Sequence, residues 1–136
     1  MKRRPVGQKP VEIILMRQLA SSLAMPIFLV DPSGNMLFYN EPAESILGRQ
    51  YDESGEMPFA EWSTIFEPTT EDGERIPPHA LPLAIAFEKR RASYGTLRIR
   101  GLDGISRKIG VTAFPLEGQG KRHLGAVAIF WEEDRT

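Results

Sequence analysis

Residues 26–40 read Pro26-Ile27-Phe28-Leu29-Val30-Asp31-Pro32-Ser33-Gly34-Asn35-Met36-Leu37-Phe38-Tyr39-Asn40. The apolar runs Ile27–Val30 and Met36–Tyr39 are strands by their length and their β-branched and aromatic content. Between them, Pro32 and Gly34 supply turn geometry, and Asp31 and Asn35 can bond to their own backbone. The segment is a β-hairpin. Asn40 stands where strand gives way to helix, and its side-chain oxygen suits a free N–H of the first helical turn. Pro42 fits that turn because its missing N–H has no helical partner there. Gly48 then closes a helix over Glu41–Leu47.

Working back from the hairpin, Pro26 stops a helix running from Val11 to Leu23. Val11, Ile14, Leu15, Leu19, Ser22 and Leu23 share one broad face, with Glu12 and Arg17 off it. Ile13, Met16 and Ala20 widen the apolar part beyond that of an ordinary surface helix. This face has two uses open to it: to cover the domain's own sheet, or to pack on a second subunit. Residues 1–10, with Pro5, Gly7 and Pro10, read as a flexible leader. The expected organisation is thus a leader over 1–10, a flanking helix over 11–24 and a single domain over 25–136.

Working forward, residues 49–78 are polar and irregular apart from a short helical piece at Phe59–Phe66. A longer helix is expected from about Ala80 to Arg90, with Leu83, Ala84 and Phe87 on its apolar face. Lys89, Arg90 and Arg91 complement the dipole at its end. Strands follow at about Ser93–Arg100, Arg107–Pro115 and Leu124–Trp131. The turn Gly101–Gly104 joins the first two. Leu97 and Ile99 alternate with polar neighbours, as do Ile109, Val111 and Ala113, so one face of each strand is dry. The last strand has no polar residue and should lie near the middle of the sheet with both faces covered. The fold class is α+β: a five-stranded antiparallel sheet, short helices on one face and an N-terminal helix flanking it.

The bulk composition agrees with one soluble domain. A chain of 136 residues is long enough to bury a real core. A net charge of −1 gives no global field toward nucleic acid or an anionic membrane, and neither partner is expected. No apolar run is long enough to span a bilayer. The chain has no cysteine, which removes disulfides, thiolate chemistry and cysteine-based metal sites and suits a cytoplasmic setting.

This order of elements resembles the PAS domain family. Residues 26–40 look like the family's opening hairpin with its capping asparagine. Ala43–Gly48 resembles the first short helix, which usually ends in Leu-Gly. Asp72-Gly73 followed by Leu81-Pro82-Leu83 is similar to the loop and long helix of a bacterial subgroup. Asp134-Arg135-Thr136 resembles the motif at which many members pass into a signalling helix. The resemblance implies a sensor that dimerises and signals through its terminal helices to an effector, fused or separate. An ending at that motif fits either a trimmed effector or a stand-alone domain.

Checked residue by residue, the family's cofactor chemistries find little support. Flavin photosensors and photoactive yellow protein use a cysteine, which is missing here. Tyr39 occupies a position where photoactive yellow protein also has tyrosine, and reads as core packing with a satisfied hydroxyl. Haem would need His79, which precedes the long helix among prolines and reads as a loop residue. His123 looks solvated, and two separated histidines make no zinc site. Gly118-Gln119-Gly120 leads into a strand, so it presents no helix N-terminus to a phosphate. The acidic clusters around Asp52 and Asp72 lie in polar loops, and nothing marks a nucleophile with its base, so no catalytic residue is expected. Arg98, Arg100, Arg107 and Lys108 read as a solvated edge or an intersubunit salt bridge.

The positive expectation is a pocket between sheet and helices, holding a small apolar or aromatic ligand or a fatty acyl chain without covalent or metal bonds. Its expected lining is Phe28, Val30, Leu37, Tyr39, Ile46, Trp62, Phe66, Leu83, Phe87, Leu97, Ile99 and Val111. The expected dimer interface is Val11, Ile14, Leu15, Leu19 and Leu23. Two other readings stand beside it: an interaction module with a filled core, and a haem sensor using His79.

Overall fold

The computed structural model describes residues 11–133. The expected leader over 1–10 and the Asp134-Arg135-Thr136 ending lie outside the described residues. In chain order the elements are α1 (Val11–Ser22), β1 (Ile27–Val30), β2 (Met36–Tyr39), α2 (Glu41–Leu47), α3 (Tyr51–Ser54), α4 (Phe59–Ile65), a 3-10 turn (Pro78–Ala80), α5 (Pro82–Lys89), β3 (Ser93–Arg100), β4 (Ser106–Glu117), a second 3-10 turn (Gln119–Lys121) and β5 (His123–Glu132).

The five strands form one antiparallel sheet in the order β2-β1-β5-β4-β3. The last strand in sequence is thus the middle one in space, as its lack of polar residues requires. Its inner positions Ala126, Ala128 and Phe130 join the larger core under α2–α5. Its outer positions Leu124 and Val127 join a smaller core that includes Ile13 of α1, Ile27, Leu29 and Leu37.

α1 meets this outer face with its Ile13 and Met16 side. Ile13 is buried and Met16 packs beside it, whereas Val11, Ile14, Leu15 and Leu19 are exposed. Of the two uses open to the Val11–Leu19 face, covering the domain's own sheet is not the one it takes. Glu12 and Arg17, off that face, lie on the sheet side. Glu12 pairs with Arg122 at 3.1 Å, and the Arg17 guanidinium lies 4.5 Å from the Phe38 ring centroid.

Asn40 is the junction of the N-terminal half. Its Oδ1 accepts from the Ala43 N–H at 3.2 Å, capping α2, and from the Ile27 N–H at 3.0 Å, starting β1. Its Nδ2 donates to the Met25 carbonyl at 2.8 Å. One buried side chain fixes a helix start, a strand start and the approach from α1. At the other end of α2, Gly48 adopts φ 80° and closes the helix onto the Glu44 carbonyl. A Cβ there would stand 2.5 Å from the Asp103 backbone nitrogen, so glycine also permits the β3–β4 turn to dock on α2.

The irregular segment after α4 is not a free loop. Thr69 and Arg98 exchange backbone hydrogen bonds at 2.9 Å in both directions, and the Arg100 N–H donates to the Phe66 carbonyl at 2.7 Å. This strap satisfies part of the outer edge of β3, an edge that would otherwise offer unpaired backbone groups. Lys108 forms an ion pair with Glu71 on the strap.

Two tyrosines are fastened by their hydroxyls near β2. Tyr39 is fully buried, its hydroxyl 2.9 Å from both the Arg49 carbonyl and Ser54 Oγ. Tyr51 donates to the Leu37 carbonyl. Burial pushes both phenols above the ordinary value of 10.0, an effect that Ser54 offsets in part at Tyr39 and Arg17 in part at Tyr51.

Two outcomes follow from these contacts. Asn40→Ala removes a cap and orphans the Ile27 N–H, and is expected to lower the urea unfolding free energy by about 2 kcal/mol or more. A loss below about 0.5 kcal/mol would show the junction to be dispensable. The raised phenol pKa values mean that the unfolded chain ionises first. The stability they contribute is intact below about pH 10 and falls as pH rises toward the folded values. Urea midpoints measured at about pH 9 and about pH 11 should decline, and the phenolate absorbance of Tyr39 and Tyr51 should appear with unfolding.

Candidate functional site

Between the inner face of the sheet and α2, α4 and α5 lies a cavity of about 90 Å³. The sheet contributes Phe28 from β1, Leu97 and Ile99 from β3, Ile109 and Val111 from β4, and Ala128 and Phe130 from β5. The opposite wall is Leu47 of α2, Trp62 of α4 with Phe66 just after it, Pro68 of the strap, and Leu81, Pro82 and Leu83 at the start of α5. No titratable side chain lines it. An occupant is therefore offered apolar surface and shape, with no charge and no side-chain hydrogen bond.

Of the twelve residues expected to line a pocket, Phe28, Trp62, Phe66, Leu83, Leu97, Ile99 and Val111 do line this cavity. Val30, Tyr39, Ile46 and Phe87 belong to the same core but stand behind the lining. Leu37 is misplaced by the sequence reading and lies in the outer core with α1. The cause is a bulge: Leu29 pairs with Phe38 and Val30 with Met36, leaving Leu37 as the extra residue on β2. Two successive residues, Leu37 and Phe38, then face the outer core, and the simple alternation fails.

Sequence reasoning missed Leu47, Pro68, Leu81, Pro82, Ile109, Ala128 and Phe130. Ile109 was within reach, because it lies two residues from Val111 on one strand. Ala128 and Phe130 sit in a strand with no polar residue to mark its faces. Pro68 carries no periodicity at all, and it is its neighbours Phe66 and Thr69 that bond to the sheet edge.

Trp62 is held by three partners, one of them the Phe59 ring, edge-on at 5.2 Å. Its indole N–H donates to the Gly34 carbonyl at 2.7 Å, and its ring meets Phe28 edge-on at 5.5 Å. Gly34 adopts φ 91°, and a Cβ there would stand 2.5 Å from the Phe87 ring. The β1–β2 turn thus closes onto α4 and α5 together and fixes one end of the cavity wall.

The polar groups lie outside. His79 is exposed, with Nδ1 2.8 Å from Glu88 and its ring 5.2 Å from Phe59. It belongs to the surface of the 3-10 turn and not to the cavity lining, so it offers no axial nitrogen to a haem there. Arg107 is nearly buried, donates to the Ile46 carbonyl at 2.8 Å and pairs with Asp103 at 3.0 Å. Arg107, with help from the Ile105 N–H, holds the Asp103 carboxyl below the usual carboxylate range. Lys108 likewise holds Glu71 low.

His123 Nε2 lies 3.1 Å from the Phe87 carbonyl, while its Nδ1 and Ser63 Oγ are buried without partners. Neither residue lines the cavity. Among the described residues no three metal-binding side chains converge, and no helix is long and apolar enough to cross a membrane.

The solved structures similar to this chain share its fold at low sequence identity. The PAS domain of a protein from Colwellia psychrerythraea matches with a TM-score of 0.62 and 16% identity, covering 90% of this chain and 97% of that one. The PAS domain of Bordetella pertussis BvgS matches with a TM-score of 0.61 and 15% identity, covering 91% of this chain and 87% of that one. The Rhodobacter sphaeroides LOV protein matches with a TM-score of 0.69 and 14% identity, covering 93% of this chain and 70% of that one. No curated protein matches the sequence significantly. Residues 14–131 match the family model described as the PAS fold. That span takes in all five strands and most of α1, and on it the chain belongs to the PAS family.

Proposed function

We propose that this PAS domain, a sensory signalling module by family, responds to a small uncharged apolar molecule in the cavity and passes the response through α1 to a second copy of the chain. The observation that carries the reading is the cavity itself: about 90 Å³ at the junction of the sheet with α4 and α5, lined by apolar side chains. For comparison, an engineered apolar cavity of about 150 Å³ binds benzene or xenon. An occupant the size of one ring or a short acyl segment suits this site after modest side-chain movement. Recognition would rest on size and dispersion, with no group available for covalent or metal attachment. No catalytic role is assigned to any residue.

The output surface is α1. Val11, Ile14, Leu15 and Leu19 form an exposed stripe, with Leu23 and Met25 exposed just beyond the helix. The opposite side of the same helix is occupied by the outer core. A helix apolar on two sides has a further cover to find, and a symmetric pair of such helices supplies it. An effector, fused or separate, would read the packing of that pair.

The second reading is an interaction module with a filled core. It is favoured by the cavity's volume, which falls below the roughly 300–1,000 Å³ of ordinary ligand sites.

Benzene separates the two. It is expected to raise the melting temperature of the full chain, and Ala128→Val, which adds methyl groups to the lining, should abolish that rise without lowering stability by more than about 1 kcal/mol. No shift with benzene or xenon in the parent protein would favour the filled core. Separately, sedimentation should show a dimer that Leu15→Asp or Leu19→Asp converts to a folded monomer. A parent chain that is monomeric at every concentration would exclude the α1 pair.

A further inference from the structure

The sheet divides the molecule into two cores, the cavity side and the α1 side, and its strands stand between them. Side chains of the two cores can meet directly only around an edge. The β2 edge carries such a meeting, and we propose that a chain of rings around it transmits cavity occupancy to α1 through Arg17. The inference rests on the ligand reading above.

The chain of contacts starts in the cavity wall. Phe28 touches Trp62 edge-on at 5.5 Å and lies parallel to Tyr39 at 5.9 Å with an interplanar angle of 2°. Tyr39 meets Tyr51 edge-on at 5.4 Å. Tyr51 belongs to α3, beside the β2 edge, and there it also meets Phe38 at 5.2 Å. Phe38 faces the outer core. The Arg17 guanidinium of α1 lies 4.5 Å from the Phe38 centroid and 5.5 Å from that of Tyr51. All four ring separations fall in the range where aromatic pairs attract and prefer defined orientations.

The hydrogen bonds make this a lever and not a loose row of rings. The Tyr39 hydroxyl is fixed at Arg49 and Ser54, and the Tyr51 hydroxyl at the Leu37 carbonyl. With the hydroxyl ends pinned, a push on Phe28 tilts the rings about those points. The tilt changes the surface offered to Arg17. A cation over a ring is sensitive to such tilt because the attraction comes from the ring face. At the N-terminal end of α1 the Glu12–Arg122 pair is a separate anchor, made to the segment just before β5 and not to a ring of the chain. Occupancy would therefore alter the docking of α1 around Arg17 while its first turn stays in place. That is the portion leading to Leu19 and Leu23 of the exposed stripe.

The test is amide hydrogen exchange of α1 in the full chain, with and without saturating benzene, in the parent and in Arg17→Met and Tyr51→Leu. Arg17→Met keeps a long apolar stem and removes the cation. Benzene should change protection in the second half of α1 by about two- to fivefold in the parent, the equivalent of a cation–π contact of about 0.5–1 kcal/mol. Both variants should lose that change while calorimetry still shows benzene bound, its affinity shifted by no more than the same two- to fivefold. An undiminished α1 response in both variants overturns the proposal, as does bound benzene with no α1 response in the parent. Failure of benzene to bind overturns the ligand reading instead. Phe28→Leu, or Trp62→Phe if the former does not fold, then replaces benzene as the perturbation. Its effect on α1 exchange must vanish in the Arg17→Met background, and an effect of equal size there overturns the ring chain.

Discussion

The burial of β5 on both faces governs the rest of the molecule. A strand that reads Leu124-Gly125-Ala126-Val127-Ala128-Ile129-Phe130-Trp131 has no side fit for water, so the chain must bring an apolar layer to each face. The inner layer is assembled from α2, α4 and α5, which are short and irregularly joined, and such pieces leave a gap where they meet. The outer layer is a single helix, α1. It covers the outer face with Ile13 and Met16, spends a narrow stripe on it, and leaves its wider apolar stripe outward. The cavity and the exposed stripe thus have a common origin in one strand that needs two covers.

Asn40 settles how these layers are held in register. It ties the start of α2, the start of β1 and the Met25 carbonyl with a single amide. A short helix such as α2 has little stability of its own, because nucleation is costly and only a few internal bonds repay it. Capping by a residue that also anchors the sheet makes that helix part of the sheet's framework. Gly48 and the Arg107–Ile46 contact do the same at the other end, fastening α2 to the β3–β4 turn. Leu47 can then serve as a fixed part of the cavity wall.

The fold was legible in the sequence because its signals are local and redundant. Asn40, Pro42 and Gly48 mark α2 independently of one another, and Gly101–Gly104 marks its turn without reference to the rest. The site was legible only in part. Alternation placed Leu97, Ile99 and Val111 correctly, since polar neighbours reveal which way a strand faces. It failed at Leu37, where the bulge on β2 adds one residue and the parity changes. It could not speak for Ala128 and Phe130, because a uniformly apolar strand has no parity to read. The use of the α1 face could not be decided from the helix alone. The stripe richest in apolar residues could cover the sheet or meet a second subunit, and Glu12 and Arg17 contribute aliphatic stems and charged heads to partners at the sheet's rim. The helix docks through the stripe whose polar members find Arg122 and the Phe38 ring.

An all-apolar cavity also limits the kind of signal it can send. With no charge in the lining and its one indole N–H, that of Trp62, already donated to Gly34, an occupant acts through volume and contact. Volume matters in a close-packed core because neighbours cannot compress and must move as units. A ligand shifts a conformational equilibrium only by its differential affinity for the two states. For an apolar occupant of this size, that difference comes from a modest number of dispersion contacts, each worth about 0.1–0.2 kcal/mol. Such a signal amounts to a kilocalorie scale rather than a large one, and it needs an output of similar softness. A helix held by one buried isoleucine, a partly buried methionine, the exposed Glu12–Arg122 pair and a guanidinium on a ring is docked by interactions of comparable size. On the proposed reading, such light docking of α1 is what would let a small apolar cavity serve as an input.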